Sequence, residues 1–560
     1  MAESLLFLPP ILAGLTASFF IEQCLTPKPM PVTQRPLSAL QLHIGTWLLL
    51  FAVVLLPVLR PWFAVVMLLA FQLLLVLVNH AKHDSLREPF IFQDFEYFTD
   101  AIKHPRLYLP FFGIGRTLAA TIGFVGALVI GVMLEAPLTE ALSLPRLVTA
   151  WLVMLSASLL LVRQGLKNSP VITLDPAEDL INLGQTAFFW AYRQAEKLSE
   201  IDSSGSFFDQ KPQLSDKTKQ PHIVAVQSES FFDPRSLSGN IKADVLEHFD
   251  RIKTEAAYHG RLQVPAWGAN TVRTECAFLT GLLPEQLGVH RFNPYRSLAK
   301  QSIPNLVDYL QRSGYRTICI HPYPASFYLR DQVFPRMGFD RFIDITGFNA
   351  QQKEGQYIGD FALGNRITEL LSTPDASDEG DEKPLFIFVI TMENHGPLHL
   401  EQPEAADNET FYRQTPAPGC DDMTVYLRHL KNADLMIKSL KEGLQTQADD
   451  RERGRAGLLC WYGDHVPIMT GVYQIFGEPD GLTDYFIWET SSLGHKAHKA
   501  KDDCMDAGGR ATQGAVADDC MDAGGRATPP LKGGLWTGAV AERQIAVHEL
   551  SALMLNTKTQ

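Results

Sequence analysis

Cysteine is scarce in this 560-residue chain, with seven in all, an odd number, and no CxxC spacing. That excludes a small disulfide framework and offers no zinc-finger type site. The reading for Cys24, Cys276, Cys319 and Cys460 is small buried hydrophobes. A basic excess is also missing: 49 Lys and Arg stand against 62 Asp and Glu. A broad nucleic-acid-binding face is therefore not expected, and nucleic acid is not an expected partner. Charge of either sign is sparse up to residue 163, which holds 10 basic and 9 acidic side chains and leaves a net of −14 for the other 397 residues. A mean hydropathy of −0.02 hides that split. At 46% hydrophobic the chain is no disordered polymer. The pattern fits an apolar membrane anchor followed by a large, acidic, globular domain.

Five apolar stretches reach or approach the roughly 20 residues that span a hydrocarbon core of about 30 Å. They are Leu5–Ile21, Leu40–Leu59, Pro61–Val78, Phe111–Leu134 and Arg146–Val162. Five such runs at one end argue against buried core helices, so residues 1–163 are expected to form a transmembrane domain of about five spans. The start MAES has no basic segment before the first run, so that run is expected to be a retained span rather than a cleaved signal. Counting loop charges with the N-terminus inside puts only Arg60 and Arg146 on the inner side. Lys28, Arg35, Lys82, Arg87, Lys103, Arg106, Arg116, Arg163 and Lys167 then fall outside. Taken alone, that count favours an inward-facing globular domain. The aromatic-rich loop Asn79–Pro110 suits either an interfacial segment or a plain connection.

Residues 164–220 read as a linker with one amphipathic stretch, LINLGQTAFFWAYRQAEKLSEI. Beyond it, apolar strands are expected at His222–Val226, Tyr315–Ile320, Leu385–Ile390 and Leu458–Trp461, with helices at Ile303–Ser313 and Met423–Leu444. That alternation predicts an α/β domain with a largely parallel sheet over 221–560. In such sheets, ligands sit beyond the carboxyl ends of the strands. The sequence DDCMDAGGRAT occurs at Asp502–Thr512 and again at Asp518–Thr528. Two glycine-rich copies are too few for a solenoid, so 502–528 reads as a surface insertion with no assigned chemistry.

Polar residues just past the strands carry the candidate chemistry. HIVAVQSES puts Glu229 beyond the first strand, and LLCWYGDH puts Asp464 and His465 beyond the last. Between them, GANTVRTECAFLTGLLP sets Thr271 at a loop-to-helix junction, with Glu275 one turn on. A hydroxyl there meets free backbone N–H groups and the positive end of the helix dipole, which suits binding and attacking a phosphate. An alcohol needs a metal or a base to become a good nucleophile at neutral pH. Two carboxylates, an imidazole and an alkoxide make a tetrahedral set for a divalent cation such as Mn²⁺ or Zn²⁺. Singly, each residue has a plainer reading: a solvated loop Glu, a helix N-cap Thr, a chance Asp-His pair. Their order at successive strand ends is what raises them above it.

On these residues the chain resembles the lipoteichoic acid synthase-like branch of the alkaline phosphatase/sulfatase superfamily, whose members join several spans to an extracytoplasmic sulfatase-fold domain. The resemblance implies an α-helical membrane domain plus an α/β sulfatase-like domain. Glu229, Thr271, Asp464 and His465 then match the family's metal ligands, with Thr271 as its nucleophile. HPYPASFYLRDQVFPRMGFDRF is similar to the family's H-x-x-x-x-x-FW-x-RD stretch. By that match Arg330 would clamp a phosphate bidentately, Tyr328 would replace a Trp, and His321 would line the pocket. TMENHGP is similar to T-x-x-NH, which makes His395 a candidate proton donor or phosphate contact. The implied protein is a multi-pass enzyme of the bacterial cytoplasmic (inner) membrane, facing out. It would move phosphoglycerol or phosphoethanolamine from a membrane phospholipid donor to an envelope glycan or lipopolysaccharide-type acceptor. The alternatives are a metal-dependent hydrolase that uses water and a non-catalytic sensor. The C/S-x-P-x-R motif of true sulfatases does not occur.

Overall fold

The computed structural model describes residues 4–97, 135–212, 220–372, 383–450, 454–490 and 542–557, with a few helical positions between 122 and 133. In the N-terminal part, α1 (Ser4–Glu22), α2 (Leu37–Val58), α3 (Pro61–Leu86) and α4 (Leu144–Lys167) form an apolar helical bundle, α1 packing on α3 and α2 on α4. Three of them, α2, α3 and α4, are long and apolar enough to cross a membrane, and Leu6–Glu22 is a shorter apolar helix. The expected span Phe111–Leu134 lies almost wholly outside the described residues, as do both copies of the repeat.

A polar network ties the end of α1 to the start of α2. The His43 ring bonds Ser18 Oγ at 2.8 Å and Glu22 Oε1 at 3.2 Å, while Glu22 also pairs with Arg35. Buried charges in an apolar bundle are kept only when paired like this. Arg35 in turn crosses Gly184 (φ +72°), where a Cβ would lie 2.1 Å from the guanidinium. Gly184 separates α5 (Pro176–Leu183) from α6 (Gln185–Leu198). The stretch 164–220, expected as a linker, thus carries two helices, and α6 lies against α2 with Phe188 and Tyr192 fully buried.

The second half is an α/β domain. Its sheet contains β1 (His222–Ser228), β2 (Tyr258–Gln263), β3 (Arg316–Ile320), β4 (Arg341–Ile343), β5 (Leu385–Ile390), β6 (Gly457–Gly463), β7 (Thr483–Glu489) and β8 (Ile545–Ala546). The spatial order is β8-β2-β7-β6-β1-β5-β3-β4. Strands β6, β1, β5, β3 and β4 run parallel; β7 pairs antiparallel with β6 and with β2. Strands β1 and β6 are buried along their whole length, as near-continuous apolar runs in a covered parallel sheet must be. Helices α7 (Thr271–Thr280), α8 (Asp360–Ser372), α9 (Asp421–Asp449) and α10 (Val547–Thr557) cover the two faces, α8 on α9 and α7 on α10. Of the strands expected from sequence, all four are present; β2, β4, β7 and β8 were not foreseen.

Two ion pairs fasten the end of α3 to this domain. Arg87 pairs with Glu478 at 2.5 Å, and Arg273 grips Glu88 with Nη1–Oε1 at 2.6 Å and Nη2–Oε2 at 3.1 Å. Burial would raise the Glu88 carboxyl, yet Arg273 and Lys82 hold it down to about 2. Because Arg273 is 4% exposed, Glu88→Ala leaves a guanidinium without its partner. The expected cost is about 3 kcal/mol, and Glu88→Arg with Arg273→Glu is expected to restore part of it. Thermal unfolding in detergent checks both, and no loss in the single variant would show the pair to be idle.

Candidate active site

Register brings the two motif-bearing strands together. Ser228 of β1 faces Gly463 of β6, so the next residues, Glu229 and Asp464, leave the sheet side by side at its carboxyl edge. A Cβ on Gly463 would sit 1.9 Å from the Phe231 carbonyl oxygen, so only glycine lets the GDH turn close on the QSES turn. Ser230, held at φ +52°, fastens both: its N–H donates to Asp464 Oδ1 at 2.8 Å and its hydroxyl to Glu229 Oε1 at 2.9 Å. The ring Nδ1 of His465 donates to the Val466 carbonyl at 3.1 Å, which leaves Nε2 as a bare lone pair.

Each side chain is thus pinned through one atom and open at the other. Glu229 Oε2, Asp464 Oδ2 and His465 Nε2 are buried without a hydrogen-bond partner. One ligand atom from each lies within 4.8 Å of the other two. Burial, with the Asp464 carboxylate next, pushes the Glu229 carboxyl up to about 8 despite His465 and Arg330. Two crowded buried carboxylates and an imidazole lone pair are a donor set that a divalent cation satisfies. The residues fit a metal.

Thr271 opens α7 directly after Asn270, which takes the left-handed conformation at φ +65°. One turn on, Thr274 Oγ1 donates to the Asp464 carbonyl at 2.8 Å, tying α7 to the GDH turn. That bond fixes the first turn of α7 against the metal-type cluster.

Arg330 is placed differently from a free phosphate clamp. Its guanidinium is 1% exposed, and its Nε and Nη2 both bond the Glu275 carboxylate, the first at 3.1 Å. Its Nη1 donates to His321 Nε2 at 3.1 Å. His321 Nδ1–H donates to the Ile390 carbonyl at 3.2 Å, and burial beside Arg330 drives the ring neutral. Tyr295 adds a third bond to Glu275 at 2.9 Å. The fork expected to hold a phosphate bidentately is bonded to Glu275, and both ring nitrogens of His321 are taken.

Tyr328 and His395 do face the site. With Glu229, Ser230 and Asn270 they line a cavity of about 200 Å³. Tyr328 sits at φ +57° with its ring 5.3 Å from the Arg330 guanidinium. Backbone strain of this kind concentrates at ligand sites. His395 donates from Nδ1 to the Gly396 carbonyl at 2.6 Å, and burial lowers its pKa. It is a neutral imidazole with Nε2 open, suited to taking a proton before it gives one.

Behind His395 the TMENH turn is braced by Glu393, which accepts from His429 Nδ1 at 2.9 Å and Asn432 Nδ2 at 2.6 Å. His429 Nε2 reaches Glu401 at 3.1 Å. Burial opposes charging His429, but the two carboxylates win and raise it to about 9. Its folded pKa lies above the ordinary value near 6.5. The stabilisation is therefore complete below about pH 6.5 and is lost as pH rises through about 9, at most about 3 kcal/mol. Melting curves between about pH 6 and pH 10 should fall more steeply for the unaltered protein than for His429→Gln. Parallel curves would refute the charge assignment.

Sequence reading did not foresee the far wall of the cavity. Val78, Ala81, Lys82, Ser85 and Leu86 of α3, with Asp94 and Tyr97 beyond it, line the same space as Glu229 and His395. The available signal was the 3-4 spacing of Val78, Lys82 and Ser85, which continues the helical period past the apolar run.

A family model described as Sulfatase matches residues 221–507. Over 473 residues the chain is 27% identical to the capsular polysaccharide biosynthesis protein RkpI of Rhizobium meliloti (strain 1021), covering 79% of this chain and 81% of that one. It is also 27% identical over 189 residues to lipoteichoic acid synthase 1 of Bacillus subtilis (strain 168), covering 33% of this chain and 27% of that one. Among solved structures, the integral membrane protein lipooligosaccharide phosphoethanolamine transferase A (EptA) from Neisseria meningitidis aligns at 15% identity. That alignment covers 86% of this chain and 88% of the other with a TM-score of 0.51, so the shared fold extends past the α/β domain into the N-terminal helices.

Proposed function

Because the chain belongs to the sulfatase family, we propose that it is a membrane-bound, metal-dependent transferase acting on phospholipid headgroups. It moves phosphoglycerol or phosphoethanolamine from a membrane phospholipid to an envelope glycan or lipid-linked acceptor, by way of a phosphorylated Thr271. The observation that carries this reading is the cavity that runs from Glu229 and His395 to the C-terminal end of α3, a helix long and apolar enough to cross a membrane. A soluble substrate would need no such path; a phosphate tethered in a bilayer does. The names of the relatives, a lipoteichoic acid synthase and a phosphoethanolamine transferase, agree with it.

Glu229, Asp464, His465 and the Thr271 hydroxyl would hold the cation, Mn²⁺ or Zn²⁺, which when bound lowers the pKa of that hydroxyl and offsets charge on phosphate oxygens. The helix start at Thr271 aims free backbone N–H groups at the phosphate. Thr271 Oγ forms a bond to phosphorus as the bond to the diacylglycerol oxygen breaks, and diacylglycerol leaves with a proton. An acceptor hydroxyl then attacks phosphorus and Thr271 departs. His395 Nε2, unprotonated, takes the acceptor's proton in that second step and returns it to the departing Thr271 oxygen.

The purified protein, incubated in vesicles of phosphatidylglycerol or phosphatidylethanolamine without acceptor, is expected to accumulate an adduct. Peptide mass spectrometry should place it on Thr271, and its mass increment identifies the headgroup. No adduct from either lipid while diacylglycerol is released would refute the covalent route. The reading also puts the catalytic domain outside the cytoplasm, against the loop-charge count. A C-terminal alkaline phosphatase fusion is expected to be active, and activity only from a cytoplasmic reporter would reverse the topology.

A further inference from the structure

The face of α3 that reaches the active site also lines a second cavity deeper in the helical bundle. Leu68, Phe71 and Leu75 border the deeper one, Val78, Lys82 and Ser85 the upper one. Their 3-4 spacing puts all six on one stripe of the helix. At 1.5 Å rise per residue, Leu75 and Lys82 stand about 10 Å apart along it. The deeper cavity, about 450 Å³, is closed by α1, α2 and α6 and falls within the size range of small-molecule pockets. Leu50 and Phe71, 41% and 48% exposed, mark where it opens sideways among the spanning helices.

Three phenyl rings stand between the two cavities. Phe90 lines the upper space and Phe95 and Phe189 the lower. The three rings meet edge to face, with centroids 5.0, 5.3 and 5.9 Å apart. At the rim, Arg193 lies over the Trp190 ring at 5.0 Å, a cation and an amphipathic aromatic of the kind that settles at headgroup level.

The geometry points to an acyl-chain subsite: with the three rings turned aside to join the two cavities, the lower one holds one fatty-acyl chain of the phospholipid donor while its headgroup occupies the upper one, with α3 as the common rail. This rests on the donor reading above. The occupant is a lipid chain because the opening lies among spanning helices, where the surrounding solvent is hydrocarbon, and because the same stripe leads to the phosphate-reacting residues. A donor whose phosphate must meet Thr271 while its tails remain in the bilayer has to descend along α3.

The test uses the full-length protein in mixed micelles with dioleoyl and dihexanoyl forms of the same phospholipid. Leu50→Trp fills the opening from an exposed position. The ratio of KM for the dioleoyl donor to KM for the dihexanoyl donor is expected to rise about tenfold in this variant. A dioleoyl analogue with a diazirine in one chain is expected to label the peptide holding Leu68–Leu75, and Leu50→Trp to suppress that label. An unchanged KM ratio, or labelling confined to other peptides, overturns the subsite. If the unaltered protein turns over neither donor yet the label lands on Leu68–Leu75, the donor reading fails and the lipid site stands.

Discussion

Thr271→Ala is expected to lower the initial rate of diacylglycerol release by on the order of 10³-fold or more, with the protein still folded and still binding metal. The side chain sits at the first position of α7, where no cap depends on it: Asn270 precedes it without a side-chain cap bond. Alanine is the best helix former, so α7 loses nothing in propensity. The link from α7 to the GDH turn runs through Thr274, not Thr271. Glu229, Asp464 and His465 keep their pinning bonds to Ser230 and Val466 and so keep a chelating set. Only the attacking oxygen disappears. Thr271→Ser restores an oxygen at the same carbon and is expected to recover a substantial fraction of the rate. Initial rates, metal content and melting temperature are measured on one preparation. A near-normal rate in Thr271→Ala would remove the nucleophile assignment.

The strand-end residues were legible in the sequence for a physical reason. A buried parallel strand is an unbroken apolar run, and its end is marked by the first polar residue, as in HIVAVQSES and LLCWYGDH. Strand β2, YHGRLQ, gives no such mark, because it is only half buried between β7 and the short β8. The apolar run of α3 ends at Val78, eight residues short of Leu86, because hydropathy reports the edge of the apolar layer. The helix itself continues through NHAKHDSL, which is polar but compatible with helix. Those extra residues form the far wall of the active-site cavity. Glu275 was noted for its distance from Thr271, whereas its partner Arg330 is 55 residues away. Nothing local in the chain encodes that pairing; the sheet brings the two together.

That pairing supports the last expectation. Glu275→Ala should destabilise the protein by about 3 to 5 kcal/mol, because it leaves the Arg330 guanidinium buried with one bond to His321 and no counter-charge. Arg330→Ala should cost a similar amount by stranding Glu275, which is 0% exposed. Neither single variant separates a structural brace from a phosphate contact, since both remove the fold's support and the charge together. The double variant Glu275→Leu with Arg330→Met does. Replacing a buried ion pair with apolar groups of similar volume is often neutral or stabilising, so it should melt near the unaltered protein. If the guanidinium turns from Glu275 to the donor phosphate during turnover, the double variant stays inactive despite its regained stability. If Arg330 only braces His321 and the start of the Tyr328 turn, activity returns with the fold. Melting temperature and initial rate, read together on all three variants, decide the role.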